Sequence, residues 1–273
     1  MHPRTRFFLS TTASVLALLF VAACSDDNED DINELAKKNE DVDVLYDRAR
    51  QSYAEKGYKR AIEEFEEVER QHPYSEWAPR GQIMAAYSAY KAGQFDDAIS
   101  ILDRFVKLHP THSSTPYAYY LKALCYYIQI VDVGRDQRTT EDARVALQEV
   151  VERYPDTDYA RDAKLKLDLT DDHLAGKEME IGRYYLVRDE YISAANRFKY
   201  VIDNYQTTSH TPEALHRLVE VYLRLGLTDE AKKYAAVLGH NFPGSDWYKF
   251  SYEMMEGNLS PEEKKSFTDY LVP

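Results

Sequence analysis

From Val42 onward, apolar residues recur three and four positions apart almost without a break. No sustained apolar–polar alternation bounded by turn residues interrupts them. That period predicts an all-helical chain. Self-comparison then divides the helices into units. Ala61-Ile62-x-x-Phe65-x-x-Val68 precedes Gln71-His72-Pro73, and Ala98-Ile99-x-x-Leu102-x-x-Phe105 precedes Leu108-His109-Pro110. Ala143-x-x-x-Leu147-x-x-Val150 precedes Arg153-Tyr154-Pro155. Ala194-Ala195-x-x-Phe198-x-x-Val201 precedes Asn204-Tyr205, with Gln206 in the proline's place. Ala231-x-x-x-Ala235-x-x-Leu238 precedes Asn241-Phe242-Pro243. A small residue, a large one four positions on, an apolar one three further and a helix-stopping proline at a fixed offset thus recur over five segments, with Gln206 for the proline in the fourth and Ala235 in the large slot of the fifth.

This pattern belongs to the second helix of a tetratricopeptide repeat, a unit of about 34 residues. The first helices agree. Ile181-Gly182-x-x-Tyr185 resembles that repeat's L-G-x-x-Y core, and Ala49, Ala86, Cys125 and Val219 take the same small slot elsewhere, Val219 as the loosest fit. Small residues are needed there because the two helices of a repeat cross closely. Gly93 and Gly226 fall where a first helix must end, since glycine accepts the left-handed conformation cheaply. The expected fold is an all-α tetratricopeptide-repeat (TPR) superhelical solenoid of about five repeats, each touching only its neighbours. The anchors at 73, 110, 155, 206 and 243 are 37, 45, 51 and 37 apart. The extra residues are assigned to a loop at 132–140 and to one long helix over 156–189.

The first 24 residues follow another pattern. Arg4 and Arg6 open a short basic start, Phe7 to Phe20 is mostly apolar, and Val21-Ala22-Ala23-Cys24 follows. Basic, apolar, then small is the order of a secretory signal peptide, and the apolar run is too short for a comfortable membrane-spanning helix. A cysteine directly after the small residues resembles the lipobox of bacterial lipoproteins. That resemblance implies an S-diacylglycerol and an N-acyl chain on Cys24 after cleavage. The other reading is an ordinary cleaved signal beside a chance cysteine. Several acyl chains hold a protein firmly, at about 0.8 kcal/mol per buried CH2. Residues 25–31 contain five acids and no base, a solvated tether. In lipoproteins of this kind Ser25, directly after the cysteine, implies sorting to the outer membrane. The chain divides into a signal peptide 1–23, a lipidated tether 24–41, an N-terminal repeat half 42–158, a C-terminal repeat half 159–243, and a capping helix with tail 244–273.

Charge and composition narrow the function. The chain carries 34 basic and 47 acidic residues, a net of −13. Losing Arg4 and Arg6 leaves 32 against 47, or −15, which disfavours nucleic acid and anionic lipid. With Cys24 acylated, Cys125 has no disulfide partner and reads as a small buried hydrophobe. No G-x-S-x-G, P-loop, H-E-x-x-H or C-x-x-C motif is present. His109-Pro110-Thr111-His112 implies no further ligand, and His72, His109 and His240 suit helix C-termini. Neither an enzyme, a metal nor a cofactor is expected. Most Asp and Glu alternate with Lys and Arg, as on solvated faces. The oddity is 23 tyrosines. Tyr185 and Tyr222 take the repeat's large slot, while Tyr46, Tyr53, Tyr87, Tyr90 and Tyr126 are expected to face inward. Tyrosine combines flat contact area with a polar tip, so binding and core packing both account for any one of them.

A lipid-anchored, five-repeat chain of this kind resembles the BamD family, lipoproteins of the outer-membrane β-barrel assembly machinery. Asp103-Arg104-Phe105-x-x-Leu108-x-Pro110-Thr111-His112 resembles that family's second-repeat ending, and Tyr184-Tyr185 and Asn196-Arg197 its fourth repeat. The stretch after Pro243 and the loop around Gly134 depart from it. The resemblance implies an outer membrane protein assembly factor facing the periplasm. Its partners would be unfolded outer-membrane protein precursors, a BamA-like barrel subunit and sister lipoproteins. It places Tyr53, Tyr87, Tyr90 and Tyr126 in a substrate groove, and Asn196 and Arg197 at the partner-subunit interface. The competing reading is a periplasmic TPR scaffold for peptidoglycan or cell-division proteins.

Overall fold

The computed structural model describes residues 40–257; Cys24, the acidic tether and the tail beyond Gly257 lie outside the described residues. Eleven helices and no strand occupy the described residues. They are α1 (Val42–Ala54), α2 (Tyr58–Gln71), α3 (Trp77–Lys91), α4 (Phe95–Leu108), α5 (Thr115–Tyr127), α6 (Arg138–Arg153), α7 (Asp158–Val187), α8 (Tyr191–Asn204), α9 (Thr211–Arg224), α10 (Thr228–Asn241) and α11 (Asp246–Glu256). They divide into two compact units at Ser88/Ala89. The second helices α2, α4, α6, α8 and α10 cover the five motif segments, and Ala61, Ala98, Ala143, Ala194 and Ala231 are fully buried. Ala49, Ala86, Cys125, Gly182 and Val219 are buried in the small slot of the first helices. This is the tetratricopeptide arrangement expected from the sequence.

The turns inside the repeats are closed the same way four times. The amide of Gly57 donates to Ser52 O, Gln94 to Ala89 O, Glu190 to Tyr185 O and Leu227 to Tyr222 O, at 2.8–3.0 Å. This six-to-one bond needs a left-handed residue just before its donor. Gly93 and Gly226 supply it at φ 75°, but Lys56 (φ 61°) and Asp189 (φ 59°) do so in the first and fourth repeats. A side chain in that conformation costs about 1–2 kcal/mol. Lys56→Gly should therefore stabilise the first unit by about 0.5–1 kcal/mol after the entropy of the freer unfolded chain is subtracted. The midpoint of urea unfolding measures it.

The turns between repeats have their own device. Ser75 Oγ donates to His72 O, Thr157 Oγ1 to Tyr154 O, Thr208 Oγ1 to Tyr205 O, and Ser245 Oγ to Phe242 O, at 2.8–3.0 Å. The same oxygens of Ser75, Thr157 and Ser245 accept the amides of Ala78, Ala160 and Tyr248, capping the next helix. One hydroxyl thus closes the old helix and opens the new one. In the second repeat His112 takes this place: its Nδ1 accepts Ser114 N at 3.1 Å, and its ring packs with Phe105 and His109. The histidine pair is part of a turn.

The 30-residue α7 is continuous and changes partners half-way. Ala163 and Leu167 pack with Ala123, Leu147 and Val150. Leu174, Ala175, Met179 and Leu186 belong to a second core with Ala194, Phe198, Val201 and Leu218. The loop before α6 is organised by Gln137, whose Nε2 donates to the carbonyls of Asp132, Val133 and Arg135.

α11 caps α9 through polar as well as aromatic contacts. His216 lies 5.3 Å from the Trp247 ring, and its Nδ1 is 2.8 Å from Ser251 Oγ. Burial, then the adjacent Arg217 charge, pushes the His216 pKa from 6.5 down to about 3. The folded protein keeps this imidazole neutral while the unfolded chain protonates near 6.5. Between pH 6.5 and 3 the unfolded state therefore binds the extra proton. Stability should fall with pH by about 1.4 kcal/mol per unit there and be unaffected by this group above that window. Thermal unfolding at pH 7 and pH 5 should differ accordingly, and His216→Gln should remove that part of the slope.

Candidate peptide-binding and partner surfaces

In the first unit, the Tyr53 ring lies 5.6 Å from Tyr58 and 5.9 Å from Tyr87, all partly buried. Tyr46 is set 5.4 Å from core Phe65 and 4.5 Å from Trp77, over which Arg80 stacks at 5.2 Å. Burial raises the pKa of both Tyr46 and Tyr53, so both stay neutral hydrogen-bonding groups at physiological pH.

In the second unit, tyrosines gather where α5 meets the first half of α7. Tyr159 lies 5.6 Å from Tyr117 and 5.4 Å from Tyr120. The Tyr120 hydroxyl donates to Asp162, which also accepts Lys166 Nζ at 2.6 Å. Those two donors lower the Asp162 pKa, while burial and then the Asp162 hydrogen bond raise that of Tyr120. Lys166 also sits 5.8 Å from the Tyr127 ring. Tyr90 packs 5.9 Å from Phe95 and is close enough to Tyr120 to help raise its pKa. Tyr126 packs against the same Leu147 and Val150 core as Tyr120 and Tyr159 and lies near Lys122, which pairs with Asp103 at 2.5 Å. Sequence reasoning named Tyr90 and Tyr126 here and missed Tyr117, Tyr120 and Tyr159. The available signals were Tyr117-x-x-Tyr120 and Tyr159-x-x-Asp162-x-x-x-Lys166. These helices offer flat rings, hydroxyls and a fixed carboxylate–ammonium pair, which suits stacking and hydrogen bonding to a peptide. Among the described residues no cluster of His, Cys, Asp or Glu could hold a metal ion. Burial pushes the Cys125 thiol up to about 12, which leaves it protonated and unreactive.

Asn196 and Arg197 lie on α8. Asn196 is exposed. Arg197 is 43% exposed and donates to Glu178 of α7 at 3.0 Å. It is therefore a cation already held by an internal carboxylate, with its outer side open to solvent.

A family model described as "YfiO: Outer membrane lipoprotein" matches residues 38–238, from before α1 into α10. A protein of Caulobacter vibrioides named "Outer membrane protein assembly factor BamD" is 49% identical over 248 residues, covering 91% of this chain and 81% of its own. The chain belongs to this family. A Rickettsia prowazekii relative of the same name is also 49% identical, over 79% of this chain and 86% of its own. One from Neisseria meningitidis serogroup A is 32% identical, over 86% and 92%. Among solved structures, the TPR domain of P58(IPK) aligns with a TM-score of 0.42 at 16% identity, over 88% of this chain and 71% of its own. A thermophilic TPR protein of Thermus thermophilus aligns at 0.36 and 21%, over 79% and 98%. The matched family span stops short of α11, so that helix and its polar contacts with α9 lie beyond it.

Proposed function

We propose that the chain is an outer membrane protein assembly factor, anchored by lipid on Cys24 and facing the periplasm, that collects unfolded β-barrel precursors and passes them to a BamA-like barrel subunit. The observation that carries this is the 49% identity, over 91% of the chain, to a relative named as such a factor. In this reading the repeats do no chemistry. Tyr53 and Tyr87 in the first unit, and Tyr90, Tyr126 and the Tyr117–Tyr120–Tyr159 cluster in the second, offer stacking faces and hydroxyls to precursor strands. Such strands carry alternating apolar side chains and unpaired backbone groups, which rings and hydroxyls meet together. Asn196 and Arg197 face the barrel subunit, beside which sister lipoproteins assemble.

Two measurements test this. Tyr120→Ala with Tyr159→Ala should weaken binding of a peptide copying the last strand of an outer-membrane barrel about tenfold, with little change in helical content. Unchanged affinity would remove this cluster from precursor binding. With residues 1–23 replaced by a signal peptide that is cut without lipidation, Cys24→Ala should move the protein from the outer-membrane fraction to the soluble periplasm, still folded and still binding that peptide. Retention in the membrane would rule out lipid on Cys24 as the anchor.

A further inference from the structure

α11 is held by little fully buried surface. Of its eleven residues only Ser251 is fully buried, whereas α8 buries Ala194, Ala195, Phe198 and Val201. Trp247, Phe250 and Met254 line the inner side of α11 but stay half-buried. The face of α9 beneath them is polar: His216, Arg217 and Glu220 are all buried there. His216 meets Ser251 at 2.8 Å and the Trp247 and Phe250 rings at 5.3 and 6.4 Å, and Arg217 lies 5.5 Å from Trp247. Against α10, the Tyr248 ring packs on Gly239. The chain joins α10 to α11 through Pro243-Gly244, and among the described residues nothing lies within 4 Å of where a Cβ on Gly244 would stand.

A seam of this kind gains on its rings and loses on its charges. The half-buried aromatics contribute apolar burial. Taking Arg217, Glu220 and an imidazole out of water offsets much of it, even with the ions paired. Uncovered, the same face is one that water accepts. Segments with few buried apolar contacts open at lower free energy than the core they rest on. His216 makes the balance depend on pH. Covered, it stays neutral, held down to about 3 by burial and then by Arg217. Glu213 and Glu220, about one turn away on α9, are taken up by Arg183, Arg217 and Arg224. On α10, Asp229, Lys232, Lys233 and His240 are exposed and Glu230 pairs with Lys233; on α11, Asp246, Lys249, Glu253 and Glu256 are exposed. Among the described residues the charge that acts on His216 is thus that of Arg217, which opposes protonation.

We propose that α11 is a detachable cap: it leaves the polar face of α9 while the rest of the second unit stays folded, and acid favours the open form because His216 takes its proton only there. Open and closed forms therefore differ by one proton on one imidazole. The open form exposes the Trp247 and Phe250 rings and the Arg217–Glu220 pair, surface that the closed form hides. This does not depend on the function proposed above.

Native-state hydrogen exchange of the full mature chain tests it, with each amide's rate divided by its intrinsic rate at the same pH. At pH 7 the amides of α11 should open about tenfold or more readily than those of α8. Lowering the pH to 5 should raise the opening of α11 about 25-fold, the ratio for one group that titrates at 6.5 when open and about 3 when closed. His216→Gln keeps a polar side chain in the seam and should remove that rise, whatever it does to protection at pH 7. Ser251→Ala leaves the imidazole in place and should keep the rise. Equal opening of α11 and α8 in the unaltered chain at both pH values overturns the detachable cap. A rise that survives His216→Gln, or that the unaltered chain lacks, overturns the acid trigger.

Discussion

Gly182→Ala should destabilise the second unit by about 2 kcal/mol, against the sign that helix propensity gives. Alanine in a helix interior is favoured over glycine by about 1 kcal/mol. Here the added Cβ would overlap the Phe198 ring, 2.9 Å from Cδ1 and Cζ and closer still to Cε1. Phe198 is fully buried in the α7–α8–α9 core, so its ring has no free direction in which to move. Overpacking of this kind costs about 1–3 kcal/mol beyond any propensity gain. Chemical denaturation gives the sign. Phe198→Leu should lose about 1 kcal/mol alone, yet Gly182→Ala added to it should cost little, because the smaller side chain vacates the overlapped space. Additive losses would mean that the glycine serves something other than this crossing.

The same pairing shows what was legible in the chain. The small slot of each first helix and the large slot of its second helix vary together: Ala49 with Phe65, Cys125 with Leu147, Gly182 with Phe198, Val219 with Ala235. Val219 looked the loosest fit because its partner position holds the smallest residue of the series. A local period and a steric rule suffice for this, so helix order, repeat number and the buried alanines could all be read in advance. The hydroxyls of Ser75, Thr157, Thr208 and Ser245 were equally readable, two residues past each proline or its replacement, and went unnoticed. Contacts between elements far apart in sequence were not readable. Tyr120 meets Asp162 from 42 positions away, so no pattern within one helix singled out the α5–α7 cluster over Tyr126. Charged residues were read as solvated, which holds along most helices but fails on α9. There every residue from Ala214 to Val221 is buried, Arg217 and Glu220 included. The reason is α11, which covers a face that α9's own periodicity would leave to solvent.

That buried charge carries the other large expected effect. Arg217 donates through Nη1 to Glu220 at 2.9 Å and through Nε to Glu213 at 3.4 Å, with Trp247 of α11 5.5 Å from its guanidinium. Glu213 is also held by Arg183 at 3.1 Å and Glu220 by Arg224 at 2.6 Å, so one ionic chain runs from α7 along α9 to its last residue. Arg217→Met keeps the volume and removes the charge. Glu220, 5% exposed, is then left with Arg224 alone to offset its desolvation. Breaking a buried pair from one side costs about 3–5 kcal/mol, whereas replacing both partners by apolar groups is often neutral. Arg217→Met should therefore lose about 3 kcal/mol, somewhat less if Arg224 closes in, and Arg217→Met with Glu220→Leu should recover most of it. The two tryptophans, Trp77 and Trp247, lie in different units. In a Trp77→Phe background the fluorescence of Trp247 follows this site alone. Equal losses in the single and double variants would show that α11 is held by its aromatic packing, and that the ionic chain adds nothing to its docking.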